Sequence, residues 1–187
     1  GILTYFGVFS TKYREELLKN YWVPILNKKE IRFSEKFEFL DFISNPREVQ
    51  DWVMLGLPND NTFKENAVII KYSLKYPLII DPQEQALIWI KNMNRALNED
   101  KKLRQFTPQT NNYMKSLMEY INRETVVLNN VGERLGMDLE EFIKGLNKDK
   151  QRLYLMTKVP NPHFYPEVSS NLNVVNFLVN EKGLEEQ

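Results

Sequence analysis

The sequence predicts an α/β protein with a mostly parallel, five-stranded sheet between two layers of helices, preceded by N-terminal helices. Two observations support this fold class. From Tyr76 onward, short apolar runs are each followed by a stretch with apolar residues at helical spacing. Pro77-Leu78-Ile79-Ile80 is the first such run, and Asp81-Pro82 after it supplies an N-cap and a proline for the next helix. Alternating strands and helices indicate parallel pairing, because parallel strands need a crossover connection between them.

Capping residues and apolar spacing predict three helices in the first third of the chain. Their bounds come from polar caps, from a proline in the first turn, and from glycine or proline after the last turn. They run from Ser10 or Thr11 to a stop at Pro24, from Phe37 to Ile43, and from Asn45-Pro46 to about Gly56. The apolar segment 62–73 fits a helix or a strand, because its period does not separate them.

The remaining elements follow from the same alternation. The predicted strands are 77–80, 103–107, 125–128, 152–157 and 173–179, and the predicted helices between them are 83–97, 111–122 and 137–146. Pro160-Asn161-Pro162 marks a break in regular structure.

Composition excludes several classes of function. The 187 residues contain no cysteine, which rules out thiol catalysis, disulfides and cysteine zinc sites, and His163 is the only histidine. The 25 basic and 25 acidic residues balance and are interspersed, so a nucleic-acid partner is not expected. Apolar runs are too short to span a membrane, so no membrane partner is expected either. The start at Gly1, without a methionine, suggests a piece of a longer protein.

The loop after the first strand is where a protein of this class would hold phosphate. In the pattern G-x-x-x-x-G-K-[ST], glycines let the backbone approach, the lysine contacts phosphate and the hydroxyl holds Mg²⁺. Asp81 stands at the first glycine, Ala86 at the second, Leu87 at the lysine and Ile88 at the hydroxyl, with Pro82, Gln83, Glu84 and Gln85 between them. The carboxylates of Asp81 and Glu84 also stand where an anionic phosphate would lie. The loop therefore favours a structural turn capped by Asp81 over a nucleotide site.

Asn129 and Asn130 follow the third strand, where a nucleotide hydrolase would carry acids that hold Mg²⁺ and polarise water. An amide cannot act as a base, so these positions predict a vestigial magnesium site with no metal ligand. Glu133 is the nearest acid, and beside Arg134 it is expected to form a surface ion pair rather than to catalyse.

Aromatic residues and the single histidine are expected to be structural. His163 lies in a proline-framed loop among aromatics, which predicts a packed, hydrogen-bonded side chain. Core packing is predicted for the phenylalanines and tryptophans, although those near the N-terminus could instead cover a neighbouring module: Phe33, Phe37, Phe39, Phe42, Trp22, Trp52 and Trp89.

Several ungapped strings, in order over nearly the whole chain, resemble the dynein heavy chain, and more narrowly the fifth AAA+ module of its motor ring. The strings are Tyr5-Phe6-Gly7-Val8-Phe9 with Tyr13-Arg14, Gly56 to Asp60, Glu65 to Ile70, Tyr76 to Gln83, Trp89 to Asn92, Thr157 to His163 and Lys182 to Gln187. The Asn-Pro-His loop and the Gly-Leu-Glu ending resemble axonemal more than cytoplasmic dyneins.

The resemblance implies a large α/β subdomain of an AAA+, P-loop NTPase-like protein, with strand order 5-1-4-3-2. Residues 61–187 would form it, residues 1–60 would be a helical lead-in following the stalk, and the small helical subdomain would be absent. It also implies a non-catalytic module without cofactor that relays conformational change between ring and stalk. Its partners would be the neighbouring AAA+ modules, the stalk and the linker of the same heavy chain. The parent protein would bind microtubules and dynein intermediate and light chains, in the cytoplasmic cytoskeleton of the cilium or flagellum axoneme.

Two departures from the family stand out. Glu84 occupies a position where the family usually keeps a glycine, which adds a carboxylate and removes backbone freedom. Between Glu141 and Arg152 the family usually carries a few dozen more residues, whereas this chain has only 142–151.

Two other functions remain open from the sequence. One is a weak nucleotide-binding or ATP-hydrolysing module with Glu133 as base. The other is an interaction domain of an unrelated α/β type, which a strand order other than 5-1-4-3-2 would favour.

Overall fold

A computed structural model of the chain describes residues 6–33, 39–97 and 102–178. Its centre is a five-stranded sheet in which all neighbouring strands are parallel and the order is β2-β3-β4-β1-β5. The strands are β1 (Pro77–Ile80), β2 (Leu103–Phe106), β3 (Thr125–Leu128), β4 (Arg152–Thr157) and β5 (Asn173–Asn176). The predicted fold class and strand order are therefore confirmed, and an unrelated α/β topology is excluded.

Nine α-helices are described in these ranges. They are α1 (Thr11–Leu17), α2 (Val23–Lys28), α3 (Phe39–Ile43), α4 (Pro46–Met54), α5 (Asn61–Tyr72), α6 (Gln85–Leu97), α7 (Tyr113–Tyr120), α8 (Met137–Gly145) and α9 (Pro166–Asn171). A 3₁₀ turn, Phe6–Val8, precedes α1, and a π-helical segment, Leu18–Trp22, joins α1 to α2.

Strands β1 and β3 are buried along their whole length, which explains the uninterrupted apolar run of β1, whereas the edge strand β2 is only partly buried and carries Arg104 and Gln105. In β1, Ile79 packs into a core with α3 to α6, whereas Leu78 and Ile80 pack into a second core with α7 to α9. Successive side chains of a strand point to opposite faces, so one short strand contributes to both cores. At about 25 cal/mol per Å² of apolar area, this burial is the main favourable term in folding.

The structure corrects the expected end of the first helix. Pro24 does not close it, because helical backbone continues through the π-helical segment to Lys28. Pro24 stands at the second position of α2. A proline disrupts an α-helix by removing a donor and by crowding the preceding turn, and the wider π turn before it relieves that crowding.

Other boundaries differ by a few residues. Helix α6 begins at Gln85 rather than 83, because residues 82–84 form a turn in which Glu84 has a φ of 59°. Segment 62–73, for which the sequence left helix and strand undecided, is helical. Helix α9 lies in a stretch for which no helix was predicted. Phe37 and Val179, at the ends of two predicted elements, lie outside the described residues.

The aromatic residues divide into two groups. Trp52 and Trp89 are buried and pack edge to face with ring centroids 5.7 Å apart, and Phe39 is buried as well. Core packing was wrong for Trp22, Phe33 and Phe42, which are 43%, 37% and 76% exposed. All three lie in the N-terminal segment, on surfaces that the described residues do not fully cover.

A buried polar network attaches the N-terminal segment to the sheet. Arg14 is 2% exposed and donates to the carbonyl of Phe6 at 3.0 Å, to the Glu65 carboxylate at 2.6 Å and to Asn66 Oδ1. The Asn66 amide in turn donates to the carbonyl of Asn176, at the end of β5, at 2.6 Å. Burial lowers the pKa of Arg14 and raises the pKa of Glu65, and the hydrogen bond and attraction between them oppose both shifts.

Replacing Arg14 by methionine should lower the free energy of unfolding by about 3 to 5 kcal/mol, because the Glu65 carboxylate is left buried and unpaired. Urea denaturation followed by circular dichroism measures this. The double variant Arg14→Met/Glu65→Met should recover part of the loss. Lys19→Met, which removes an exposed ion pair with Glu15, is the control and should cost less than about 0.5 kcal/mol. Equal losses from Arg14→Met and Lys19→Met would contradict the network's role.

Gly7 allows the Phe6–Val8 turn to lie directly against β5. A Cβ atom at Gly7 would stand 2.3 Å from the carbonyl oxygen of Val174. Gly7→Ala should therefore lower the free energy of unfolding by about 2 kcal/mol or more, because backbone must shift. Gly136→Ala is the matched control, since nothing lies within 4 Å of its Cβ position. Thermal unfolding of both variants tests the contact, and an unchanged melting temperature for Gly7→Ala would refute it.

Candidate functional site

Asp81 lies at the carboxyl end of β1, which pairs with β4 on one side and β5 on the other, and its carboxylate caps α6. Its Oδ1 accepts a hydrogen bond from the Gln85 amide and its Oδ2 accepts one from the Leu87 amide, both at 2.9 Å. The Asp81 amide donates to the carbonyl of Thr157 at 2.9 Å, which ties the turn to the end of β4. The first free amides of α6 therefore already have a negatively charged partner.

Asp81 is 2% exposed, so its carboxylate is largely removed from water. Burial raises its pKa, whereas the hydrogen bonds from the backbone amides of Leu87, Ala86 and Gln85 oppose that rise. A buried carboxylate at this position also repels a second anion. Phosphate could reach these amides only by displacing the Asp81 side chain.

Glu84 and Lys158 form an ion pair beside Asp81. The Lys158 Nζ lies 2.5 Å from Glu84 Oε1, and this hydrogen bond and the positive charge lower the pKa of Glu84. Lys158 follows β4 directly and is a site residue that the sequence reasoning missed. Its only sequence signal is its place at the end of an apolar strand, since its acid partner is distant in the chain.

The backbone of Glu84 explains why glycine suits this position. Its φ of 59° lies in the left-handed region, which a side chain with a Cβ enters at a cost of about 1 kcal/mol. The ion pair with Lys158 gives Glu84 a compensating interaction, although both side chains are partly exposed and the pair contributes little.

The structure brings the two sequence-predicted parts of the site together. Asn129 and Asn130, after β3, line the same small cavity as Asp81, Glu84, Leu87, Met156 and Lys158. Its volume is about 10 Å³, which is room for about one water molecule. Asn129 Nδ2 donates to Gln105 at 3.1 Å, and Asn130 takes a left-handed φ of 54°.

The other residues of the loop point to different places. Ala86 and Leu87 are buried in the core on the α6 face, whereas Ile88 is exposed on the outer side of α6. Pro82 and Gln83 form the turn before the helix. The positions of the pattern's lysine and hydroxyl are thus taken by one core residue and one surface residue, and neither offers a polar group to a phosphate.

Two expectations on the neighbouring loop are wrong. Glu133 does not pair with Arg134: its Oε1 accepts from the His163 amide at 2.8 Å, and the Arg134 guanidinium lies 3.7 Å from the centroid of the Tyr165 ring. His163 is exposed rather than packed. Glu133 therefore holds the loop of residues 159–165 by a hydrogen bond, and Arg134 makes a cation–π contact with the Tyr165 ring.

Within residues 6–33, 39–97 and 102–178, no group of three or more His, Cys, Asp and Glu side chains is arranged to hold a metal ion. In the same part of the chain, no helix has the length and apolar character needed to cross a membrane.

The fold and this site define an AAA-like α/β domain in which a carboxylate caps the helix that would bind phosphate. Residues 50–151 and 146–187 match the protein family described as "ATP-binding dynein motor region". The chain belongs to this dynein motor-region family.

Named relatives support this assignment. The chain is 36% identical over 206 residues to the "Dynein-1-beta heavy chain, flagellar inner arm I1 complex" of Chlamydomonas reinhardtii. It is 36% identical over 209 residues to "Dynein axonemal heavy chain 2" and 33% identical over 206 residues to "Dynein axonemal heavy chain 1" of Mus musculus. Each alignment covers 100% of this chain but only 4% to 5% of the relative.

The comparisons also locate the unusual loop. The family match is divided into two segments that overlap at residues 146–151, between α8 and β4. The alignments with relatives, at 206 to 209 positions, are longer than the 187 residues of the chain. The relatives therefore contain residues that this chain lacks, and the division falls where the sequence predicted a shortened segment.

Asp81→Ala should lower the free energy of unfolding by about 1 to 2 kcal/mol, because it removes the cap of α6. Asp81→Asn should cost less, since an amide oxygen still accepts one bond. The folded-state pKa of Asp81 is raised, so folding binds a proton there and wild-type stability should rise relative to Asp81→Asn as pH falls towards 4. Urea denaturation at several pH values measures both effects.

Asp51→Ala, at an exposed position of α4, is the control for these measurements and should change stability by less than about 0.5 kcal/mol. If Asp81→Ala costs no more than this control, the carboxylate does not hold α6.

Proposed function

We propose that this chain is a non-catalytic coupling module of an axonemal dynein motor, the fifth AAA+ module of its ring. In this proposal it binds no nucleotide and no other cofactor, and it transmits nucleotide-driven rearrangements that occur elsewhere in the heavy chain. Residues 61–187 form the large α/β subdomain, and residues 1–60 are the lead-in from the stalk.

The observation that carries the proposal is that the N-terminus of α6 is already capped by a side chain of the protein. The Asp81 carboxylate accepts the amide hydrogens that a phosphate would need, in a space of about 10 Å³. Electrostatic repulsion from the Asp81 carboxylate adds to the lack of room. A phosphate-binding lysine is missing from the loop, and Lys158, the cation beside it, is paired with Glu84.

The connection between the N-terminal segment and the sheet supports a mechanical role. Arg14 links the segment before α1 to α5, and Asn66 links α5 to the end of β5. A displacement of the lead-in therefore reaches the edge of the sheet through buried hydrogen bonds rather than through a flexible joint. Coupling of this kind needs packed elements that move together, and local hydrolysis is not required.

The partners in this proposal are the adjacent AAA+ modules, the stalk and the linker of the same heavy chain. The parent protein would bind microtubules, and intermediate and light chains, in the cytoskeleton of a cilium or flagellum. The names of the flagellar and axonemal relatives support this localisation.

Calorimetric titration of the folded chain with MgATP and with MgADP should show no saturable binding up to millimolar nucleotide. Steric closure by Asp81 is the physical reason. Saturable micromolar binding that disappears when the loop 81–88 is mutated would refute the proposal.

A steady-state ATPase assay separates the alternative function, hydrolysis with Glu133 as base. No turnover is expected, and Glu133→Gln should change nothing. Turnover that Glu133→Gln abolishes would favour the hydrolase.

A further inference from the structure

A second cavity lies at the end of the sheet opposite Asp81, at the amino ends of β1, β3 and β4. Its volume is about 700 Å³, within the range of cavities that hold small molecules. Its apolar lining comes from α5, α6, the start of β1 and the loop after α8: Ile70, Pro77, Ile90, Met93 and Leu146. It shares none of its lining residues with the cavity beside Asp81.

Lys148 is the polar group that distinguishes this cavity. Its Nζ donates to the carbonyl of Ile70 at 3.0 Å and to the carbonyl of Ser73, at the end of α5. An ammonium group has three donors, and these two bonds leave one. Carbonyl oxygens carry only a partial negative charge, so these two bonds do not pair the ammonium of Lys148 with a full negative charge.

The charges that line the cavity are mainly positive. Lys71, Lys148 and Arg152 face it, against the single carboxylate of Asp149. Lys71 also lies 4.0 Å from Glu48, which reduces its contribution. The pKa of Lys148 is lowered to about 8, chiefly by burial; Asp149 opposes this shift and Lys71 contributes to it. An anion close to the ammonium would offset that desolvation.

The loop that carries Lys148 is also the place where this chain departs from its relatives. Residues 146–151 are the overlap between the two segments of the family match. Lys148 and Asp149 lie in this short loop, and Gln151 joins it to β4 while accepting, through its carbonyl, a hydrogen bond from the Tyr76 hydroxyl at 3.3 Å. The shortened loop therefore forms one wall of the cavity and places its lysine inside.

We propose that this cavity binds a small amphipathic anion, an aromatic or aliphatic group bearing a sulfonate or carboxylate. The apolar group packs against Ile90 and Met93, and the anionic group accepts a hydrogen bond from Lys148. Charge complementarity and the mixed lining support this class of ligand over a neutral or cationic one.

Fluorescence titration of the whole chain with 8-anilinonaphthalene-1-sulfonate tests the proposal. Saturable binding of one probe per chain is expected. The neutral analogue N-phenyl-1-naphthylamine, which lacks the sulfonate, should bind at least about tenfold more weakly. Equal binding of the two probes would overturn the requirement for an anion.

Three variants locate the probe. Lys148→Met should weaken binding by about tenfold or more, whereas the matched control Lys150→Met, at an exposed lysine of the same loop, should change it less than twofold. Met93→Glu should weaken binding by about tenfold or more, because it places a carboxylate in the apolar wall, where it repels the sulfonate. A signal that Met93→Glu leaves unchanged comes from exposed aromatics elsewhere and overturns the proposal, as does equal binding by Lys148→Met and wild type.

The pH dependence of probe binding to the wild-type protein is a further test, and it does not depend on whether a variant folds. The other titratable groups that line the cavity are Lys71, Tyr72, Tyr76, Asp149, Arg152 and Tyr154. The pKa values of the three tyrosines are raised, that of Tyr76 to about 12. Lys148, with a pKa of about 8, should therefore lose its proton between pH 7 and 9, and the dissociation constant should rise about tenfold over that interval. An unchanged dissociation constant would overturn the role of Lys148.

Discussion

The carboxylate of Asp81 is the interaction on which the centre of this domain depends. A parallel sheet requires each strand to be followed by a turn and a helix, and the first amides of that helix need acceptors. From the end of β1, Asp81 accepts hydrogen bonds from two of these amides, those of Gln85 and Leu87. One buried side chain thus joins the strand to the helix that follows it.

The charged side chains around this centre have partners within the protein. Lys158 neutralises Glu84, Glu133 accepts from the His163 amide, and Arg134 lies over the Tyr165 ring. The carboxyl edge of the sheet, where α/β proteins commonly bind ligands, is therefore occupied by internal contacts. The amino edge differs, because there, among the described residues, Lys148 donates to two carbonyl oxygens beside a large cavity. These two edges give the domain a closed end and an open end.

The sequence predicted the interior strands well because they are buried on both faces and so are largely apolar, as in Leu78, Ile79 and Ile80. Short-range signals were also reliable: Asn45 caps α4 and accepts from the Arg47 amide. The predicted helix end at Pro24 was wrong because a π-helical turn precedes the proline and lets the helix continue. Whether such a turn forms depends on the neighbouring backbone and is not visible in the residue types. Trp22 and Phe42 misled because apolar spacing does not reveal whether a second layer is present to cover a face.

Residue types along the chain were enough to establish the α/β class, the family resemblance and the lack of a phosphate-binding lysine or hydroxyl after β1. Those properties are local, because they depend on which side chain follows which. The pairing of Glu84 with Lys158, the attachment of Arg14 to Glu65 and Asn66, and the entry of Lys148 beneath α5 join residues far apart in sequence. Folding decides them, because only the packed chain brings these groups within bonding distance, and a buried charge such as that of Arg14 leaves water only where it finds a partner.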